Sequence, residues 1–157
     1  MKKLSLAIAV YVLASSAQAF STHLTSYEEV AYALKHGHIV RGIFNLDDCK
    51  LTDARTTDGH EEFKGDFAGM EFASFSNTHF TVDGKAKKGV VSAKTEVAKH
   101  EKYNYRTHVM KAFEDNTAEY TWAVANQSGE LLKSWTWTCQ FGGPKDKGMG
   151  AAFYSVS

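Results

Sequence analysis

The strongest constraint on the fold of this chain is a strict alternation of side chains in its C-terminal half. The odd-numbered positions from 103 to 113 would share one face of a strand, and they hold Tyr103, Tyr105, Thr107, Val109, Lys111 and Phe113. Successive side chains of a β-strand point to opposite faces, so this segment is predicted to be a long strand. The same period returns in residues 117–126 and 131–141, after turn residues at 114–116 and 127–129. The pattern predicts an antiparallel meander.

The N-terminal part begins with a helix signal. Ser26-Tyr27-Glu28-Glu29 fits a capping box, in which the Ser hydroxyl and the Glu carboxylate satisfy the first main-chain amides of a helix. The sequence predicts a helix over residues 27–36, which Gly37 ends. Residues 39–44 then alternate as a strand and lead to Asp47-Asp48-Cys49.

Further strands are predicted over residues 70–75, 78–82, 89–93 and 151–156, with Asp83-Gly84 as a turn between the second and the third. Residues 51–66 have little apolar content and are expected to form a long exposed loop. Gly142, Gly143, Gly148 and Gly150 are assigned to turns and to close approach of strands. The predicted fold is α+β, with an N-terminal helix packed on a curved, mostly antiparallel sheet or small barrel of about six to eight strands.

The first nineteen residues have the form of a secretory signal peptide. Met1-Lys2-Lys3 precedes an apolar run to Ala14, and Ala17-Gln18-Ala19 resembles a cleavage site. The apolar run is shorter than the roughly 20 residues of a membrane-spanning helix. We therefore expect a signal peptide over residues 1–19, one domain over residues 20–157, export to the periplasm or the extracellular medium, and no integral membrane association after cleavage.

The charge balance excludes one class of partner. The chain has 18 basic and 18 acidic residues, and loss of Lys2 and Lys3 would leave an excess of two acidic residues. Nucleic-acid binding depends on concentrated positive charge, so we expect no nucleic-acid partner.

Cys49 and Cys139 are the only cysteines of the chain. An even pair in an oxidising compartment favours a disulfide, which would close most of the domain. The alternative is a nucleophilic thiol, although neither residue lies in a Cys-x-x-Cys motif.

The order of elements resembles the VirK family of small exported bacterial proteins, whose activity is not established. The residues that carry the resemblance are, in chain order, Ser26-Tyr27-Glu28-Glu29, Ala33-Leu34 before Gly37, Asn45-Leu46-Asp47-Asp48-Cys49, Phe75-Ser76-Asn77-Thr78-His79-Phe80-Thr81, Tyr103-Asn104-Tyr105-Arg106, and Cys139 followed by glycines and Phe153. The chain departs from the family in its lysine-rich residues 85–88 and in residues 143–147. The resemblance implies a compartment and an architecture, and it supplies no catalytic residues.

Seven histidines raise the question of a metal or acid–base site. His79 and His108 lie in predicted strands and form a candidate polar site, while the spacing of the others gives no ligand pattern. No Gly-x-Ser-x-Gly elbow or phosphate-binding loop is present. We expect no metal and no cofactor, and assign no catalytic residue.

The second candidate site is aromatic. Tyr105, Trp122, Trp135 and Trp137 could line a cavity for an apolar ligand, or could simply form the core. The sequence therefore favours an exported, non-enzymatic protein that binds a protein or a small apolar ligand in a virulence or envelope role. The alternative is a small secreted hydrolase whose histidine and carboxylate come together only in the fold.

Overall fold

A computed structural model describes residues 21–56, 65–97, 105–142, 148 and 150–156. The predicted signal peptide, the middle of the predicted loop at 51–66 and Gly143 lie outside the described residues. The described elements are one helix, α1 (Tyr27–Lys35), and the strands β1 (Ser21–Leu24), β2 (Ile39–Asn45), β3 (Lys50–Thr56), β4 (Phe67–Glu71), β5 (Phe75–Val82), β6 (Lys85–Val97), β7 (Tyr105–Phe113), β8 (Thr117–Ala125), β9 (Leu131–Gln140) and β10 (Ala151–Val156).

The described strands form two sheets, and every pair of neighbouring strands is antiparallel. The larger sheet has six strands in the order β3-β9-β8-β7-β6-β5, in which β5 to β9 follow one another as the predicted meander. The smaller sheet has four strands in the order β1-β10-β2-β4, so that the last described strand lies between two early ones.

The core lies between facing sides of the two sheets. Phe44 of β2 packs on Tyr120 of β8, with ring centroids 5.3 Å apart, and on Phe153 of β10 at 6.0 Å. Gly42 permits the close approach of the sheets, because a Cβ atom there would overlap the Met110 sulfur and lie 2.9 Å from the Phe153 ring. Large apolar side chains and one small residue thus set the distance between the layers.

Helix α1 contributes a third group of core residues. Val30, Ala33 and Leu34 fall on one face of the helix and are buried in the same core cluster. Ser26 caps the helix by accepting a hydrogen bond from the Glu29 amide at 3.3 Å. The Tyr27 amide also donates to the Asn116 side chain at 2.8 Å, which fixes the start of the helix to the turn between β7 and β8.

The structure corrects three expectations about the sheet. The described strands number ten rather than six to eight, they form two sheets rather than one, and neither sheet closes into a small barrel. The physical reason is that β10 inserts between β1 and β2, which draws the N-terminal strands into a layer of their own.

The expectation of a loop from residue 51 is also wrong over its first part, because Lys50–Thr56 forms strand β3. All side chains of β3 are exposed or only partly buried, since β3 is an edge strand paired only with β9. A strand without a buried face has no apolar alternation by which it could be recognised.

A disulfide joins Cys49 to Cys139, with Cα atoms 4.5 Å apart. Lys50 of β3 lies opposite Thr138 of β9, so the two cysteines occupy the next opposed positions beyond this pair. Cys49 also follows the 3-10 turn of residues 46–48, where the chain passes from the small sheet to the large one. The disulfide therefore fixes a crossing point between the two sheets. None of the helical residues in the described part forms a segment long and apolar enough to span a bilayer.

Candidate functional site

The most distinctive cavity of the molecule lies where the chain changes sheets between β4 and β5. Strand β5 pairs with β6 from Val82 back to Phe75, which lies opposite Ser92. Before Phe75 the chain bends away, and β4 pairs with β2 in the other sheet. Strand β4 and the last residues of β6 therefore diverge like the two arms of a fork. A groove of about 480 Å³ lies between them. We call this cavity the fork groove.

The fork groove has one wall from each sheet. Its lining residues are Gly69, Met70, Glu71, Ala73 and Ser74 on one side, and Ser92, Ala93, Lys94, Glu96 and His108 on the other. Apolar surface from methionine and alanines is thus combined with a few ionisable groups. Such a combination is typical of ligand sites, in which apolar walls provide affinity and a few polar groups fix orientation.

His108 occupies the centre of the polar wall. Its Nδ1 atom lies 2.6 Å from the Tyr120 hydroxyl, and its Nε2 atom lies 3.5 Å from Oε1 of Glu96. A carboxylate can only accept a hydrogen bond, so the neutral ring carries its proton on Nε2 and accepts the Tyr120 proton at Nδ1. The imidazole is therefore oriented between a phenol and a carboxylate that come from the two neighbouring strands.

Burial controls the proton affinities of this chain of groups. Desolvation lowers the pKa of His108 below its ordinary value, against a smaller opposing effect of the Glu96 carboxylate. Desolvation also raises the pKa of Tyr120 to about 12. At neutral pH the phenol is protonated and the imidazole is largely neutral, so the site presents hydrogen-bonding groups rather than a histidine cation.

Two permanent cations share one carboxylate at the rim of the groove. The Lys94 ammonium lies 3.7 Å from Glu96, and Nη1 of Arg106 lies 3.9 Å from the same carboxylate. Arg106 also lies over the Trp122 ring, 5.9 Å from its centroid. The side chains of Arg106 and Glu96 are somewhat less than half exposed and that of Lys94 is about two-thirds exposed, so a ligand can reach this group of two cations and one carboxylate.

The structure brings together three of the predicted aromatic residues and separates the fourth. Trp122 lies directly opposite Trp135, with ring centroids 5.3 Å apart, and Trp137 lies opposite Tyr120. Directly opposed residues share a face of the sheet, so these rings form one aromatic layer. Trp135 and Trp137 are buried in the core, and Trp122 packs against it. Tyr105 lies opposite Ala125, on the other face of the sheet.

The two histidines of the predicted polar site are not brought together. His79 is exposed on β5 and lies opposite Lys88, whereas His108 lies opposite Lys94. These two lysines are six residues apart on β6, which corresponds to roughly 20 Å along the strand. His108 finds Glu96 and Tyr120 instead. These two partners were missed from the sequence because only the pairing of β6, β7 and β8 brings them to the histidine.

Two further cavities lie elsewhere on the described part of the chain. One, of about 380 Å³, is lined by Lys50 and Thr52 from β3 and by Val82 and Asp83 at the end of β5. These strands are opposite edges of the six-stranded sheet, so the sheet bends strongly at this end. The other, of about 470 Å³, is a shallow depression beside α1, lined by Leu24 and Tyr32 among others. Within the described residues, no three histidine, cysteine or acidic side chains are arranged to hold a metal ion.

These observations define the class of molecule. It is an α+β protein of two packed antiparallel sheets, with a disulfide at one crossing between the sheets and a ligand-sized groove at another. Residues 23–128 match the family described as VirK protein. The chain belongs to the VirK family, and the resemblance inferred from its sequence is confirmed.

A solved structure agrees with this assignment. The crystal structure of a VirK family protein from Legionella pneumophila is similar to this chain with a TM-score of 0.56 and 13% sequence identity. The similarity covers 83% of this chain and 97% of the Legionella chain. At this identity the comparison shows a shared fold alone. Among curated proteins, no sequence matches this chain.

Proposed function

We propose that this protein is an exported, non-enzymatic binding protein of the VirK family, which takes its ligand in the fork groove. The observation that carries the proposal is the groove itself, where apolar walls from two sheets meet the oriented His108 and the charged group at Glu96. The binding partner is a protein segment or a small, mainly apolar ligand, in a virulence or envelope role.

Export is supported by two features of the chain. The first nineteen residues have the form of a signal peptide, which would leave a domain of residues 20–157. The Cys49–Cys139 disulfide is compatible with an oxidising compartment, since disulfides persist in the periplasm and outside the cell but are rare in the cytosol.

The aromatic residues support the groove rather than line it. Trp135 and Trp137 are almost fully buried, so a ligand could reach them only by displacing core side chains. Trp122 is partly exposed and carries Arg106 above its ring, which places one aromatic side chain beside the groove. We therefore assign ligand contact to the groove residues and a supporting role to the tryptophans.

The proposal is tested by blocking the groove. The probe is 1-anilinonaphthalene-8-sulfonate, because its apolar rings and its anion match the groove walls and the cations at the rim. Ser74 is exposed at the closed end of the fork, and Ser74→Trp should fill the groove and weaken probe binding at least tenfold. Gln127→Trp, in the exposed turn after β8, is the matched control and should bind as the wild type does.

Near-ultraviolet circular dichroism will show that both variants remain folded. Native mass spectrometry of protein purified from its export compartment should in addition reveal a bound mass that Ser74→Trp loses. Equal probe binding by the two tryptophan variants would overturn the assignment of the groove.

The alternative function is a small secreted hydrolase. The observation in its favour is the imidazole of His108 held between Glu96 and Tyr120, since an oriented histidine beside a carboxylate can serve as a general base. Turnover of a panel of esters, peptides and glycosides that is lost in His108→Ala would support this function. His79→Ala is the control, because the exposed His79 is remote from the groove. A panel without turnover would remove the alternative.

A further inference from the structure

We propose that the ligand of the fork groove is an extended peptide segment with an acidic side chain, which pairs through its main chain with residues 93–97 of β6. This inference rests on the proposed function and names the chemical class of its partner. It follows from a row of strand positions that have no partner among the described residues, together with the charge beside them.

Strand β6 extends beyond the end of its neighbour β5. Strand β6 is thirteen residues long, but the ladder with β5 stops at Ser92. Ala93 to Val97 continue to pair with β7 on one side, while their other side has no ladder partner within the described residues. In an antiparallel ladder, alternate residues direct their N–H and C=O groups to each neighbour, so about two or three residues of this segment present these groups outward.

Strands β4 and β6 belong to different sheets and diverge at the fork. Strand β4 would lie beside residues 93–97 if it continued the line of β5, but it has joined β2 in the other sheet. The outer edge of β4 is itself free within the described residues, because β4 ends the order of its sheet. A further strand placed in the fork groove would therefore extend the six-stranded sheet beside residues 93–97. An added strand is a common means of binding an extended peptide.

A peptide in the fork groove would meet both charged and apolar side chains. Lys94 and Arg106 share the carboxylate of Glu96, and His108 is largely neutral at pH 7. The other carboxylate that lines the groove, Glu71, is paired with Arg41 at 3.2 Å, so Lys94 and Arg106 remain in excess. An acidic side chain of the peptide would form an ion pair with one of these cations, whereas a basic side chain would add to an existing excess of positive charge. Apolar positions of the peptide would contact Met70, Ala73 and Ala93.

The opposite edge of the six-stranded sheet is less suited to this role. Strand β3 carries Lys50, Asp53 and Arg55 along an exposed edge, and its register shifts between Leu51 and Asp53. Both edges carry charged side chains, but irregular pairing is a feature by which edge strands avoid added partners, and only β3 shows it. All five residues of β6 at the fork are exposed and keep regular register with β7.

The probe is a fluorescein-labelled peptide, Gly-Ser-Thr-Val-Glu-Val-Thr-Val, whose binding is measured by fluorescence anisotropy. A second peptide has Lys in place of Glu. A third has Pro in place of the Val that follows Glu, which removes a main-chain donor. We expect the Glu peptide to bind about fivefold more tightly than the Lys peptide, the range of an exposed ion pair, and the Pro peptide to lose most of its binding.

Substitutions on β6 separate the charge effect from the strand pairing. Lys94→Glu should reverse the preference between the Glu and the Lys peptide, whereas Lys85→Glu should leave it unchanged. Lys85 is an exposed lysine at the other end of the same strand and is therefore the matched control. Amide hydrogen exchange should show new protection in residues 93–97 when the Glu peptide is bound.

The outcomes distinguish this inference from the proposed function. If the naphthalene sulfonate binds and Ser74→Trp blocks it, but no peptide protects residues 93–97, the groove binds a small ligand and the inference is wrong. Protection of residues 75–82 instead would place the peptide on the edge of β5, which also overturns it. If neither probe depends on Ser74, both proposals fall together.

Discussion

At the scale of single residues, His108 is held in surroundings that oppose its protonation. The groups that face it are Lys94 and Glu96 on β6, Arg106 on its own strand, Tyr120 on β8, and Glu71 across the fork groove. Burial is the largest influence and lowers the pKa of His108, and the two cations act in the same direction. Only Glu96 is identified as favouring the charged ring.

This environment makes stability depend on pH in a predictable direction. Because the folded pKa of His108 lies below the unfolded value of about 6.5, the unfolded chain binds more protons in the interval between the two. The free energy of unfolding therefore falls as the pH decreases through 6.5. Urea unfolding at pH 7.5 and 5.5 should show a smaller loss in His108→Gln than in the wild type.

The exposed His79 provides the control for this experiment. His79→Gln replaces an exposed histidine in the same way and is the matched control for the substitution itself. An identical loss of stability in His108→Gln and the wild type would contradict the assignment of this pH effect to His108.

Gly150 lies in a crowded site that has no room for a Cβ atom. A Cβ atom there would overlap the Cys49 sulfur and lie 2.8 Å from the Asn45 carbonyl oxygen. The Asn45 amide also donates to the Gly150 carbonyl at 2.7 Å, so the main chain has little room to move away. We expect Gly150→Ala to lower the free energy of unfolding by about 1–3 kcal/mol, the usual cost of overpacking.

Chemical denaturation of Gly150→Ala and of Ser76→Ala would measure this effect. Ser76 lies on the exposed β5, and its substitution should change stability by less than about 0.5 kcal/mol. A Gly150→Ala variant as stable as the control would show that the chain adjusts around residue 150 at no cost.

At the scale of elements, the strands that alternate most regularly were predictable. Strands β7 to β10 agree with the sequence within two residues at each end, and in β7 to β9 the buried residues fall mainly on one face. Strands β1 and β3 were missed, since the first has four residues and the second has no buried side chain. Periodicity shows that a strand exists, but it does not show which strand will lie beside it.

The same limit explains what was predictable of the candidate site. His108 could be selected by residue type, but so could His79, and only strand register separates them. Residue type alone groups Tyr105 with the tryptophans, whereas pairing with Ala125 places it on the opposite face of the sheet. The fork groove could not be predicted, because it depends on the chain passing from the small sheet to the large one between β4 and β5.

The turn between β5 and β6 illustrates a local signal that is sufficient by itself. Asp83 and Gly84 both have positive φ values, 51° and 74°, as a two-residue hairpin turn of type I′ requires. A Cβ atom at Gly84 would meet no neighbour, so any cost of a side chain there comes from the main chain alone. We expect Gly84→Ala to lower the free energy of unfolding by about 1 kcal/mol, and Gly84→Asn by less.

Thermal unfolding of the two Gly84 variants would test this expectation. Asparagine tolerates the left-handed conformation better than alanine, which makes it the appropriate comparison at the same position. Equal melting temperatures for alanine and glycine at residue 84 would argue against the assigned turn.

At the scale of the whole molecule, the disulfide restrains the link between the two sheets. It spans 90 residues of sequence and lies beside the passage from β2 to β3. A loop of this length corresponds to a stabilisation of about 4–5 kcal/mol by restriction of the unfolded chain, and measured losses are about 2–5 kcal/mol. We expect a Cys49→Ala/Cys139→Ala double variant to lose stability within that measured range.

Urea unfolding of the oxidised wild type, the reduced wild type and the double variant would measure the contribution. The reduced protein is the control for the loss of two sulfur atoms from the site. A double variant within about 1 kcal/mol of the oxidised protein would mean that the sheets hold their crossing without the covalent link.

The position of β10 has a consequence for the order in which the fold can be completed. The meander from β5 to β9 can pair strand by strand as its residues are made, because each strand follows its neighbour along the chain. The small sheet cannot, since residues 151–156 must arrive between β1 and β2 before either contact of β10 exists. A chain that ends at residue 150 therefore lacks the strand that joins β1 to β2, although β2 can already pair with β4. Within the described residues β1 pairs with β10 alone, so residues 21–24 stay unpaired until the last strand arrives.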